Sequence, residues 1–191
     1  MDQESQNKFG QLIAESAADD NIIGMFLGGS RGKGFENDGS DYDIRLVVKD
    51  EVTFEYVQKY PKYFSPGIDI AVISFSEFQN YARWGSDTAW DRYEYTRAKA
   101  LVDKNGMIQK IIDEKGSLPP AEIANYINEQ LDAYLNYFIR SVEAGAKNNH
   151  VGLRLEAALS LPCLLNAVFA AEDRLAPFAD YLEKELDRYP L

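Results

Sequence analysis

Every strand signal in this chain lies before Ser117-Leu118-Pro119-Pro120, and only helical periodicity follows it. That change divides the sequence into an α/β half, residues 1–116, and a helical half, residues 117–191. With 191 residues there is material for one or two compact domains with a proper core. A content of 46% hydrophobic and 27% charged residues places the chain among ordinary globular proteins.

In the first half, Phe9, Leu12, Ile13 and Ala17 fall on one stripe and predict an amphipathic helix over 4–19. IIGMFL then reads as a buried strand that stops at the turn Gly28-Gly29-Ser30. SRGKGFENDGS is loop with room for one helical turn. DYDIRLVV is the second strand, and its period of two sets Asp41, Asp43, Arg45 and Val47 against Tyr42, Ile44, Leu46 and Val48. Residues 51–60 suit a short helix before Pro61, and GIDIAVISF suits a third strand announced by Pro66-Gly67. Ser76 is expected to cap a helix reaching about Trp84. YEYTRAKALV is expected as a fourth strand, closed by a turn at 103–106, and MIQKIIDEK as a helix ending at Gly116.

In the second half, Ile123, Ile127, Leu131, Leu135, Phe138 and Val142 mark one face of a long helix. A second, apolar helix spans 151–171, with a kink expected at Pro162, and Pro177 suits the first turn of a third. Internal repeats and low-complexity tracts are absent.

Composition narrows the function classes. No run of 18 or more apolar residues argues for a membrane span. The polar start MDQESQNKFG lacks the basic and apolar regions of a secretory leader, so the expectation is a cytoplasmic protein. One cysteine, Cys163, excludes an internal disulfide, argues against a zinc cluster and reads as a small core residue. A net charge of −11 with no Lys/Arg run disfavours nucleic acid as a partner. The same acidity either keeps the protein soluble or steers in a cationic acceptor.

Three pieces carry chemistry: Gly28-Gly29-Ser30 after a strand, Ser40-Asp41-Tyr42-Asp43 opening the next, and Asp69 at the start of the third. Two aspartates two apart on a strand point the same way, roughly 7 Å apart. Like charges so placed cost energy unless a cation sits between them, and aspartate is a poor strand former. Hard oxygen ligands without His or Cys favour Mg²⁺, with Asp69 as a third ligand. The Gly-Gly turn exposes backbone N–H groups, Ser30 adds a hydroxyl, and Arg31 and Lys33 add charge, together a cradle for a triphosphate.

The stretch LGGSRGKGFENDGSDYDIRLVV resembles the signature of the nucleotidyltransferase superfamily that includes DNA polymerase beta. More closely, it is similar to the small bacterial branch of aminoglycoside and minimal nucleotidyltransferases. Ten residues separate Ser30 from Asp41, as in that pattern, and the match covers roughly residues 23–74. LRLEAALSLPCLLNAVFAAEDRLAPF is similar, less specifically, to the helical bundle that follows the catalytic domain in such enzymes. The resemblance implies an α+β fold: a nucleotidyltransferase domain with a small mixed sheet flanked by helices, then an α-helical bundle. It also implies two Mg²⁺ ions held by Asp41 and Asp43, and phosphates of ATP or another nucleoside triphosphate on Gly29 and Ser30. Asp69 would ligate a metal or act as base. An acceptor oxygen would attack the α-phosphate and expel pyrophosphate.

The chain departs from that pattern at Ser30-Arg31-Gly32-Lys33-Gly34, where the family carries an alanine before its arginine, so the arginine's role does not transfer to Arg31. Arg45 is unexpected; it neutralises the aspartates, touches the nucleotide or makes a salt bridge. The helical half is shorter than in many drug-modifying relatives, which implies an acceptor pocket incomplete in one chain or shared between subunits, as in a homodimer.

Glu94, Asp87 and Asp91 are further candidates for the base, each weighed against an ordinary structural role. Trp84, Trp90, Tyr93 and Tyr95 stack a ring or pack in the core. His150, the only histidine, reads as a surface residue. Tyr126, Tyr134 and Tyr137 line an acceptor cleft, fill the helical core or form a dimer contact. Three functions compete: transfer to a small cationic acceptor of aminoglycoside type, protein modification beside a helical toxin, and nucleotide or partner binding without catalysis.

Overall fold

The structure is a computed structural model that describes residues 3–191. Its first unit, ending at Gly116, contains α1 (Gln3–Ala18), β1 (Ile22–Leu27), α2 (Gly29–Lys33), β2 (Tyr42–Val48) and α3 (Thr53–Lys59). There follow β3 (Tyr63–Ser65), β4 (Ile68–Ser74), α4 (Phe75–Asn80), β5 (Ala100–Asp103) and α5 (Met107–Lys115). Short 3₁₀ segments span Asp50–Val52 and Ala89–Tyr95. The second unit, Ser117–Leu191, contains α6 (Ile123–Ala146), α7 (His150–Ala171), a 3₁₀ turn Ala179–Tyr181 and α8 (Leu182–Arg188).

The sheet runs β3-β4-β2-β1-β5. β2 pairs parallel with β4, whereas β1–β2, β1–β5 and β3–β4 are antiparallel. This is the mixed sheet the sequence resemblance implies. Alternation along β2 sorts side chains between two cores. Tyr42, Ile44, Leu46 and Val48 join Leu12, Met25, Tyr56, Ile68 and Ile70 on the α1 and α3 side. Val47 joins Phe26, Phe78, Tyr95, Ile108 and Ile112 on the α4 and α5 side. Helices therefore cover both faces. α5 packs tightly against Gly24, where a Cβ would collide with the Ile108 side chain.

Four local expectations are corrected. The fourth strand is short: Ala89–Tyr95 is 3₁₀, and pairing begins only at Ala100. β3 adds a strand before Pro66-Gly67, making a hairpin with β4. Ser74, rather than Ser76, caps α4 by accepting the Glu77 amide hydrogen, and the helix stops at Asn80. The third helix of the second unit starts at Leu182, beyond Pro177.

α7 runs unbroken through Pro162. Among the described residues it is the one helix long and apolar enough to cross a membrane by length and composition. It packs along α6, with Arg140 donating to Glu156 at 2.5 Å and Asn166 to Gln130 at 3.0 Å. Small buried serines line both helices. Ser141 and Ser160 return their hydroxyls to the carbonyls of Phe138 and Ala157, so no donor is lost to burial. Cys163 is half-buried on α7 and is not a core residue.

Lys115 closes the α4–α5 side. Its ammonium donates to the Phe78 carbonyl and lies 4.3 Å and 4.7 Å from the Phe78 and Tyr95 ring centroids. Burial, then the nearby Arg92 charge, pushes it down to about 8. An unfolded lysine titrates near ~10.4, so between pH 8 and that value the unfolded chain binds more protons. Stability therefore rises with pH across this window, and the cost of the buried charge is fully present below it. Lys115→Met should flatten that rise. Urea unfolding at neutral pH and near pH 10.5 should show the variant's advantage over wild type shrinking by up to about 3 kcal/mol.

Candidate functional site

The site forms where β1 ends beside the start of β2. The Gly28 amide donates to the Asp43 carbonyl at 2.8 Å, continuing the β1–β2 ladder by one residue. Gly29 then turns with φ +56°, which disfavours a side chain. A Cβ on Gly28 would meet the Glu94 carboxylate, and one on Gly29 would meet that of Asp43. The turn is thus pressed between two carboxylates. α2 follows at once and ends on Gly34 at φ 71°.

Asp43 and Asp69 are direct partners across the parallel β2–β4 pair. Both are half-buried, whereas Asp41 is exposed and lies just before the strand, which begins at Tyr42. Burial first, then the charges of Glu94, Asp69 and Asp41, raise the Asp43 carboxyl above its usual range, and Arg45 pulls the other way. Among the described residues no group of three or more His, Cys, Asp or Glu side chains is gathered to hold a metal. The donor chemistry of Asp41, Asp43 and Asp69 nevertheless suits a hard cation, because a buried carboxylate crowded by others gains from a divalent ion.

The basic residues expected to cradle phosphates have protein partners. Arg31 donates to the Ser40 carbonyl from Nε at 3.1 Å and from Nη2 at 2.8 Å, and stacks 4.4 Å from the Tyr42 ring centroid. It ties the loop to β2. Lys33 is 2% exposed and its ammonium donates to Glu94 Oε2 at 2.5 Å. Glu94 Oε1 accepts the Gly29 amide at 3.0 Å and Arg45 Nη2 at 3.3 Å. Glu94 is therefore neither a strand residue nor a solvated one, but the hub of the turn. Its signal in the sequence is a lone carboxylate between Tyr93 and Tyr95: aromatic neighbours predict burial, and a buried carboxylate requires a cation.

Of the other candidates, Asp91 accepts the Tyr81 hydroxyl at 2.9 Å. Burial raises the Asp91 carboxyl, and burial together with that bond pushes Tyr81 up to about 12. Asp87 is exposed. The aromatic cluster splits: Tyr93 and Tyr95 are core, while Trp90 is 70% exposed. His150 is exposed at the start of α7, and Tyr134 stacks on Phe138 within the helical unit.

The fold is shared with a solved nucleotidyltransferase-like protein. A nucleotidyltransferase-like protein from Exiguobacterium sibiricum superposes with a TM-score of 0.52 over 96% of this chain at 10% identity, and the chain spans 63% of that protein's length. A candidate nucleotidyltransferase from Sulfolobus solfataricus aligns over 39% of this chain and 74% of its own at 28% identity, with a TM-score of 0.31. A mutant of the toxin–antitoxin pair MntA–HpeT aligns over 66% of this chain and 90% of that chain at 15% identity, with a TM-score of 0.34. No protein-family model matches the sequence, and no curated protein matches it at significance.

The buried ion pair gives a direct test of the turn. Breaking one side of such a pair strands the other charge. Lys33→Met should lower stability by about 3 kcal/mol in urea unfolding. Adding Glu94→Gln to it should restore part of that loss.

Proposed function

We propose that this chain is a Mg²⁺-dependent nucleotidyltransferase of the cytoplasm that moves a nucleoside monophosphate, AMP by preference, onto a hydroxyl of a small acceptor. The observation that carries the proposal is the half-buried Asp43, paired in register with Asp69 and pressed against Gly29 of the Gly-Gly-Ser turn. Asp41, Asp43 and Asp69 are the residues that would hold divalent cations, which when bound neutralise triphosphate charge. Gly29 and Ser30 present an amide and a hydroxyl to phosphate oxygens. Arg45, close to Asp43 in charge, takes the place that the displaced motif arginine leaves open.

The acceptor oxygen forms a bond to the α-phosphorus, the α–β bridging bond breaks, and pyrophosphate leaves with its electron pair. The acceptor proton passes to a carboxylate. Asp69, set beside Asp43 by the strand register, is one choice, and Asp91 is another. Catalysis is mainly positioning and charge stabilisation. The acidic chain suits a cationic acceptor of aminoglycoside type and disfavours nucleic acid.

A second reading is transfer of the nucleotide to a protein, and the helical unit itself points to self-association. Leu131, Leu135, Phe138, Ile139 and Val142 are exposed along one stripe of α6, and Val151, Leu155 and Leu159 along α7. An apolar patch of this extent marks an interface. The occupant we favour is a second copy of the chain. A two-helix face of about 36 by 20 Å approaches the ~800 Å² per partner of a standard interface. A net charge of −11 opposes anionic lipid.

Two experiments test these readings. Protein with Mg²⁺ and α-labelled nucleoside triphosphates should transfer label to an aminoglycoside or a lysate metabolite with release of pyrophosphate, and Asp43→Asn should lose at least about 10²-fold in rate. Label appearing instead on a protein would move the acceptor to the second reading. In sedimentation, wild type should be dimeric at micromolar concentration and Leu135→Glu/Val142→Glu monomeric with unchanged helix content; a monomeric wild type rejects the pairing.

A further inference from the structure

The donors that greet a phosphate in the proposed site are already spoken for. Glu94 Oε1 holds the Gly29 amide at 3.0 Å and Arg45 Nη2 at 3.3 Å, while Oε2 holds the Lys33 ammonium at 2.5 Å. Carboxylate and phosphate oxygens are recognised by the same donors: amide N–H, ammonium and guanidinium. A second anion cannot share the Gly29 amide, because the Glu94 carboxylate lies so close to the turn that even a Cβ on Gly28 would collide with it. A triphosphate beside an unmoved Glu94 would also meet like charge at close range.

We propose that the Glu94 carboxylate is an internal occupant of the phosphate cradle and that an incoming nucleotide displaces it, so that Glu94 sets nucleotide affinity. This rests on the nucleotidyltransferase reading above. The buried neighbours Arg92, Tyr93 and Tyr95 anchor the segment that carries Glu94, so what yields is the Glu94 side chain, turning out of the cradle. The segment is 3₁₀ from Ala89 to Tyr95, an element with poorer hydrogen bonds than an α-helix. Non-glycine residues at positive φ bracket the segment, Ala82 at 53° before it and Arg97 at 65° after it, and such positions cost energy that a rearrangement can release. Beyond Glu94 itself, the Tyr81–Asp91 hydrogen bond fastens the segment to the end of α4, and Arg92 donates to the Ala82 and Glu114 carbonyls, so the backbone stays in place while the Glu94 carboxylate leaves. Displacement leaves Arg45, already half-exposed, free to turn onto the phosphates, and opens the Gly29 amide beside Asp43.

A permanent brace of the turn predicts the opposite sign when Glu94 is altered, and this makes the inference testable. Mg²⁺·ATP, then GTP, CTP and UTP, are titrated calorimetrically into the full chain and into Glu94→Gln, which keeps an acceptor but drops the charge. Displacement predicts binding about tenfold tighter in the variant. Equal or weaker binding by a variant that is folded by circular dichroism, while wild type binds, overturns displacement and leaves the nucleotidyltransferase reading standing. Should the variant fail to fold, ¹⁵N-labelled wild type decides. With nucleotide bound, the Gly29 amide should shift and couple to phosphorus across its hydrogen bond, and an unmoved amide overturns the inference. If neither protein binds any of the four nucleotides, displacement and the nucleotidyltransferase reading fall together.

Discussion

The buried carboxylate of Glu94 is the interaction on which the first unit's working end depends. A charge nearly out of water must be matched, and here the matching groups come from elements far apart in sequence: Gly29 and Lys33 from α2 and Arg45 from β2. One side chain thereby gathers the glycine turn, the end of α2 and Arg45 at a single point. Asp43 is defined by the same arrangement. It sits under Gly29, raised by burial and by neighbouring carboxylates, and answered by the charge of Arg45.

Much of the first unit could be read from the sequence because local pattern and tertiary demand agree there. IIGMFL and DYDIRLVV are strands by composition and remain strands because both faces of the sheet are covered by helices. The alternation along β2 sorted Tyr42, Ile44, Leu46 and Val48 from Val47 as a period of two requires. Where the reading failed, the deciding force was not local. YEYTRAKALV has the residue types of a strand, yet residues 93–95 are 3₁₀: Lys33 of α2 draws Glu94 into the turn, and the aromatic side chain of Tyr95 is taken up by the core around Phe26 and Phe78. Ser74 and Ser76 are equally good caps by type, and the end of β4 selects the first.

The candidate site was legible in the same uneven way. The carboxylates and the glycines announce themselves by residue type and spacing, because few other residues can serve there. The basic residues do not. Arg31 and Lys33 stand in a Gly-rich loop where phosphate contact is the natural reading, but Arg31 stitches the loop to Ser40 and Lys33 is consumed by a glutamate some sixty residues away. Periodicity carries no information about such a long-range partner. Only the aromatic surroundings of Glu94 hint at it.

The pairing of β2 with β4 is parallel, and its register sets Asp43 directly beside Asp69. The distance between those two backbones is therefore fixed at the strand separation of about 4.8 Å by hydrogen bonds of the sheet, not by any loop. The chain that crosses between them, through α3 and the short β3, takes no part in that spacing. That crossover can be lengthened or reshaped beside the carboxylates without altering the ruler that separates them. The spacing of the two carboxylates and the surface beside them are in this way set by different parts of the backbone.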